Sequence, residues 1–327
     1  MTKYIISRCK KITWLVVIIM LTSAISTIMA NYIYKFIGFV IDYGLNYTGQ
    51  EYSGEMSFLF SGKLGEYGSL KLIITLCIGM VLSGLISYVS ILVSWYLQKR
   101  GYYYIANEYR KDIFHKTMGK KLPYSKGDMI AILNEDIYEV ATIFTSYYPN
   151  IISSVLSIGY TIFMLNTISP YLLITPIALT PILIYFSIKY HKETYKEYQA
   201  YRNVDAELKE SMNTAIGSMS NDKYDEFLKA NEIHTNHRKR VSLVGNKYST
   251  ILNVVKISIY IISCTVAGVL AIKGKILIGE YLIFTTFINT IYTQIISLIT
   301  NFISVRSSQP RVEKVKTFME ENLDENK

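Results

Sequence analysis

Residues 171–190 read YLLITPIALTPILIYFSIKY, and residues 191–215 continue as HKETYKEYQAYRNVDAELKESMNTA. The first segment has one charged residue, Lys189, and is as long as the run of about 20 helical residues that crosses a bilayer. The second segment is charged, contains neither glycine nor proline, and is rich in residues that favour helix. The two together predict a transmembrane helix that continues as a polar helix beyond the bilayer.

Five more apolar stretches of similar length occur in the 327-residue chain. The predicted spans are 12–41, 70–97, 140–165, 171–190, 251–272 and 277–305. Half of the residues are hydrophobic and 18% are charged, whereas about a quarter is usual in globular proteins. We therefore predict an all-α membrane protein with six transmembrane helices in one domain, 1–320, followed by a short tail, 321–327.

Basic residues lie mainly before span one, between spans two and three, and between spans four and five. Residues 42–69 have the opposite balance, with four acidic residues against Lys63. The positive-inside rule therefore predicts a cell-membrane protein with both termini and the long basic links in the cytoplasm. The net charge of +9 is explained by this asymmetry, and no nucleic-acid-binding motif accompanies it.

The cytoplasmic links predict long helical extensions of spans two to five. About 25 helical residues project on the order of 35 Å from the membrane. Two stretches, 119–127 and 212–221, contain helix-breaking or small polar residues and are predicted to interrupt these extensions near the tips of helical hairpins. At the start of span four, Ser169 is predicted as an N-cap before Pro170, and kinks are predicted at Pro176 and Pro181.

Polar side chains recur along one face of the sixth span at three- and four-residue steps. Weaker polar faces occur in spans one and three. The candidate substrate-pathway residues are Asn289, Thr293, Ser297, Asn301, Asn150, Ser154 and Asn31. Since serine and threonine also enrich helix–helix contacts, close packing is the alternative interpretation, and it is the favoured one for the serine row of span two.

Lys256 and Lys35 are charged residues inside predicted spans. Each is near a span end, so snorkelling to the interface is favoured over a functional role for both. His234 and His237 have an HxxH spacing and are interpreted as a surface helix. The sequence has no phosphate-binding GxxxxGK[ST] loop, HExxH or GxSxG motif, so no enzymatic activity and no bound cofactor are predicted for this chain.

Four motifs in this sequence resemble the membrane domain of an ABC exporter. They are Tyr109 to Phe114 with Leu122-Pro123, Gly127-Asp128 and Asp136; Glu210 to Gly217; Gly274 with Ile278-Gly279-Glu280; and Arg311 to Val315. In order, they resemble the first coupling region, the second coupling region, the turn before the last span, and the end that leads to the nucleotide-binding domain. The resemblance covers nearly all of the chain.

The resemblance implies a membrane subunit with alternating access, driven by ATP and Mg that a partner subunit or domain binds. The ATPase-coupling residues it implies are Leu122, Pro123, Tyr124, Ser125, Asn213, Thr214, Ile216 and Ser218. It also implies a homodimer or heterodimer with a six-helix partner. A peptide or another amphipathic molecule is the expected cargo. The alternative is a non-transporting membrane scaffold, immunity protein or regulator derived from such a domain.

Overall fold

The computed structural model describes residues 10–45, 69–117, 129, 132–218 and 220–320. In this part of the chain the regular structure is helical and contains no strand, as predicted. The α-helices are α1 (Lys10–Phe39), α2 (Ser69–Thr117), α3 (Ile137–Thr142), α4 (Tyr148–Ile168), α5 (Ile174–Ser218), α6 (Asn221–Ile272) and α7 (Ile278–Glu320). π-helical turns cover Val40–Leu45, Ile132–Asp136 and Ile143–Tyr147, and a 3-10 turn covers Pro170–Leu173.

Six helical stretches of the described residues are long and apolar enough to cross a membrane. They are Trp14–Asp42, Ile73–His115, Ile132–Ile168, Pro170–Ser218, Asn221–Ile272 and Ile278–Met319. Each contains or overlaps one of the six predicted spans. The six-span prediction is therefore confirmed at the level of helix length and composition.

The long polar extensions are continuous helix where the structure describes them. α2 runs past the end of its predicted span to Thr117, and α5 runs from the fourth span to Ser218. The interruption predicted at 212–221 falls at the end of that range, since residues 212–218 belong to α5 and α6 begins at Asn221. The Thr214 hydroxyl donates to the Glu210 carbonyl at 3.1 Å and the Ser218 hydroxyl to the Thr214 carbonyl at 2.9 Å, so these polar groups are satisfied within the helix. The interruption predicted at 119–127 and the tail 321–327 lie outside the described residues.

The start of span four follows the prediction in position but not in capping. Ser169 is extended and precedes Pro170, but its side chain makes no capping hydrogen bond. Its backbone links the two helices instead, because its N–H donates to the Leu165 carbonyl and its carbonyl accepts from the Leu172 N–H, both at 3.0 Å. Pro176 lies in the first turn of α5, where no N–H is needed, so a kink is not required there. Pro181 lies inside α5, and its kink stays a prediction.

The chain divides into two compact units, one with residues up to 176 and from 263 onward, the other with residues 177–262. The core of the first unit joins α2, the segment 132–144 and the last turns of α7. Its fully buried members include Ile105, Ile113, Ile137 and Phe318. α1 packs along α2, where Phe36 and Phe39 meet Leu76.

The end of α1 crosses the beginning of α7 at two glycines. A Cβ atom added to Gly279 meets the Gly38 carbonyl oxygen and the Asp42 carboxylate in less than contact distance. The Gly279 N–H donates to Asp42 Oδ1 at 2.6 Å, so Asp42 caps the first turn of α7. The two backbones approach this closely because neither glycine has a side chain.

In the second unit, polar side chains join the two helices. His234 Nε2 lies 3.1 Å from both the Tyr201 hydroxyl and Asp205 Oδ1, and Arg240 Nε lies 3.0 Å from Glu197 Oε2. The helix around His234 is mostly exposed, as the surface-helix interpretation predicts, but His234 itself is buried. The histidine pairs with residues of the neighbouring helix, which the HxxH spacing does not reveal.

Lys35 is also buried, with 6% of its surface exposed. Its ammonium group lies 3.5 Å from the Met164 sulfur and 5.8 Å from the centre of the Tyr32 ring. The prediction that Lys35 snorkels is therefore wrong, because α1 turns this side chain toward α4. Lys256 is half-buried, and its snorkelling stays a prediction.

Candidate functional site

Polar residues of four helices surround one cavity of about 340 Å³ in the first unit. The lining residues are Ser23, Ser26 and Thr27 of α1; Ile91, Ser94, Trp95 and Gln98 of α2; Asn150, Ser153 and Ser154 of α4; and Gln294 and Ser297 of α7. On each helix the outermost polar members are three or four positions apart, which places them on one face. The cavity therefore forms where the polar faces of these helices meet.

Hydrogen bonds between helices hold the walls of the cavity. The Ser23 and Ser94 hydroxyls are 2.8 Å apart and join α1 to α2. The Ser154 hydroxyl donates to Gln294 Oε1 at 2.9 Å and joins α4 to α7. Because both bonds use side chains at the cavity surface, they fix the positions of groups that a ligand would meet.

The lining side chains are all uncharged, and some have unused hydrogen-bonding capacity. Among the described residues, the Asn150 amide and the Ser153 hydroxyl make no hydrogen bond, and Gln294 uses only its Oε1 atom. Each amide has both donor and acceptor atoms. The cavity can therefore both donate hydrogen bonds to a ligand and accept them from it.

The structure brings three of the seven candidate pathway residues to this cavity: Asn150, Ser154 and Ser297. Asn289 and Thr293 are exposed on α7 and do not line it. Asn301 is buried and donates to the Ser297 carbonyl at 2.7 Å, and Asn31 is buried with no partner for Nδ2 among the described residues. The polar side chains predicted on α7 therefore spread over too much of the helix surface for all of them to face one cavity.

Nine of the twelve lining residues were not among the candidate pathway residues. They include all four from α2, which are Ile91, Ser94, Trp95 and Gln98, and Gln294 of α7. Packing explains part of the span-two row, since Ser83 and Ser87 are buried and the Ser87 hydroxyl donates to the Ser26 carbonyl at 3.0 Å. Ser94 both packs against α1 and lines the cavity. The signal that could have found it is Gln98, one helical turn further along α2.

Of the predicted coupling residues, Leu122, Pro123, Tyr124 and Ser125 lie outside the described residues. The others, Asn213, Thr214, Ile216 and Ser218, are exposed in the last turns of α5. Ile216 has 62% of its surface exposed, so it is the large apolar side chain among these four residues that a partner could contact.

The segment that follows the first predicted coupling residues is attached to two helices. Arg311 of α7 lies 3.7 Å from Asp136 Oδ1 and 3.7 Å from Glu139 Oε2, and the Ser308 hydroxyl donates to Glu139. On the other side, Arg110 Nε of α2 donates to the Leu133 carbonyl at 3.0 Å. Segment 132–139 is therefore connected to both α2 and the end of α7.

Comparison with known proteins gives one family match. The family described as the ABC transporter transmembrane region matches residues 12–295, from the first predicted span into the sixth. No curated protein matches the chain.

Proposed function

Because the chain belongs to the ABC transporter transmembrane region family, we propose that it is the membrane subunit of an ATP-driven exporter. A domain of this family is a multi-pass membrane component of an ABC transporter and is not itself catalytic. In our proposal this chain forms the substrate pathway, and a partner subunit or domain binds ATP and Mg. The observation that carries the proposal is the uncharged polar cavity between α1, α2, α4 and α7.

The exposed polar residues of α7 support a paired assembly. Asn289 and Thr293 are exposed in the middle of an apolar helix, where contact of polar groups with lipid is unfavourable. In the proposed exporter they face a water-filled pathway shared with a second six-helix chain, in a homodimer or a heterodimer. The cargo is a peptide or another amphipathic molecule.

Coupling to the ATPase is proposed to use both hairpin tips. The tip at 213–218 offers the exposed side chain of Ile216. A displacement at 122–125 reaches segment 132–139, whose ion pairs with Arg311 pass it to α7. Since α7 contributes Gln294 and Ser297 to the cavity, this route connects the ATPase contact to the substrate site.

Tyr124→Ala is expected to reduce the amount of ATPase that copurifies with this chain more than Ser218→Ala does. Buried aromatic side chains at protein interfaces often contribute about 2 kcal/mol or more, whereas Ser218 loses only a hydroxyl that bonds within its own helix. The measurement is copurification from the native membrane, with nucleotide hydrolysis assayed in the same fraction.

Expression and membrane insertion serve as the control, because neither residue lies in a predicted span. Wild-type association after Tyr124→Ala, Leu122→Ala and a Gly-Ser replacement of 213–218 would refute the coupling assignment. If no ATPase copurifies with the unmodified chain, the non-transporting alternative replaces the exporter proposal.

Cysteine labelling tests the proposed orientation. With Cys9, Cys77 and Cys264 replaced by serine, Glu55→Cys is expected to react with a membrane-impermeant maleimide in intact cells. Lys121→Cys and Lys223→Cys are expected to react only after the membrane is opened, since the basic links are placed in the cytoplasm. Reaction of Lys121→Cys in intact cells would contradict the six-span topology.

A further inference from the structure

The cavity has a chemical character that selects among ligands. Its lining contains side-chain amides and hydroxyls but no charged group. Transfer of an ionised group from water into such a site is costly unless an opposite charge pairs with it. An uncharged ligand with hydrogen-bonding groups avoids this cost, because amides and hydroxyls replace its bonds to water.

Two amide side chains are placed to meet such a ligand. Asn150 of α4 makes no hydrogen bond among the described residues, and Gln294 of α7 keeps its NH₂ group unused while Ser154 holds its Oε1. A ligand amide, which also has one donor and one acceptor side, matches this pair. A hydroxyl or an ether offers a poorer match, since neither has a separate carbonyl and N–H.

Two of the lining residues are apolar. Ile91 and Trp95 of α2 are separated by one helical turn and line the same cavity. Trp95 leaves 62% of its surface exposed, so its indole is only partly covered by the rest of the described chain. An indole presents a broad apolar face at low conformational cost, which suits a ligand with an apolar side chain beside its amide.

We propose that this cavity binds an uncharged amide flanked by an apolar side chain, as in a short stretch of peptide backbone. The inference rests on the proposed exporter function and names the chemical class of its cargo. A volume of about 340 Å³ lies at the small end of ligand pockets, so the cavity holds a few peptide units and not a folded domain. Asn150 and Gln294 bind the backbone amides, and Trp95 and Ile91 contact the side chain.

The experiment uses Trp95 as the reporter. The chain has two tryptophans, Trp14 and Trp95, so Trp95 is the one that remains in a Trp14→Phe variant. This variant, in lipid nanodiscs, is titrated with N-acetyl-leucyl-leucinamide while tryptophan fluorescence is recorded. A saturable change is expected. The carboxylate analogue N-acetyl-leucyl-leucine should bind at least about tenfold more weakly, because its charge has no partner in the cavity.

Two substitutions in this background locate the binding groups. Asn150→Leu and Gln294→Met keep the approximate shape of each side chain and remove its amide, so each should weaken binding roughly three- to tenfold. Gln309→Met makes the same substitution at an exposed position of the same helix, away from the cavity, so it is the matched control and should leave binding unchanged. Asn150→Leu breaks no bond among the described residues, so it remains informative if Gln294→Met is poorly folded.

Three outcomes would overturn the inference: no saturable change, equal binding of the amide and the carboxylate, or equal weakening by Gln309→Met and Asn150→Leu. The assay needs neither ATPase nor transport. Loss of binding together with normal ATPase copurification therefore rejects the ligand class alone. Failure of copurification rejects the exporter proposal whatever the fluorescence shows.

Discussion

Gly279→Ala is expected to lower the free energy of unfolding by about 2–3 kcal/mol, at the upper end of the usual cost of overpacking. The added methyl group meets the Gly38 carbonyl oxygen, which is backbone and cannot rotate away. Relief requires α1 and α7 to separate, and separation also breaks the 2.6 Å hydrogen bond between the Gly279 N–H and Asp42. Denaturant unfolding in mild detergent measures the loss.

Gly159→Ala is the matched control for this substitution. Gly159 lies inside α4, and a Cβ atom there meets nothing within 4 Å. Alanine favours helix over glycine by up to about 1 kcal/mol, so this variant should be neutral or slightly more stable than wild type. If Gly279→Ala and Gly159→Ala have the same stability, the close crossing of α1 and α7 is wrong.

Ser153→Phe is expected to reduce cargo movement at least about tenfold, which corresponds to about 1.4 kcal/mol. Ser153 lines the cavity, and a phenyl ring there occupies much of a space of about 340 Å³. The ring is apolar, so membrane insertion should be unaffected. The measurement is cargo export from cells or proteoliposomes that contain the chain and its ATPase.

Ser153→Ala is the control that distinguishes blockage of the cavity by the phenyl ring from loss of the Ser153 hydroxyl. The Ser153 hydroxyl makes no hydrogen bond among the described residues, so alanine should retain most of the export activity. Equal loss in the alanine and phenylalanine variants would indicate that the hydroxyl itself is required. Full export by Ser153→Phe would show that cargo does not pass through this cavity.

The local sequence was sufficient to predict where the long helices lie. Whether a segment crosses a bilayer depends on its length and apolar content, and whether helix continues beyond it depends on the absence of breakers. Residues 171–215 contain both signals, and α5 follows them to Ser218. The break predicted at 212–221 comes late in that range, because small polar side chains at 214 and 218 bond to carbonyls of the preceding turn and remain in α5.

The candidate site was only partly predictable. Helical spacing showed that α1, α4 and α7 each have a polar face, and Asn150, Ser154 and Ser297 do reach one cavity. Spacing cannot show how far each helix is rotated against its neighbours, so it placed Asn289 and Thr293 with them and assigned Ser94 to packing alone. Rotation depends on contacts such as Gly79 against Phe36, which are set between helices.

The sequence by itself therefore determined an all-α chain with six apolar helices and long polar extensions, because those properties depend on neighbours along the chain. Tertiary structure decided which polar groups meet. Ser308 and Glu139 are 169 positions apart in sequence and form a hydrogen bond, and Gln294 joins Ser154 across two helices. Such pairs depend on how helices cross, as at the close approach of Gly38 and Gly279. The geometry of a crossing is set by two helix surfaces in contact, so it cannot be derived from the periodicity of either helix alone.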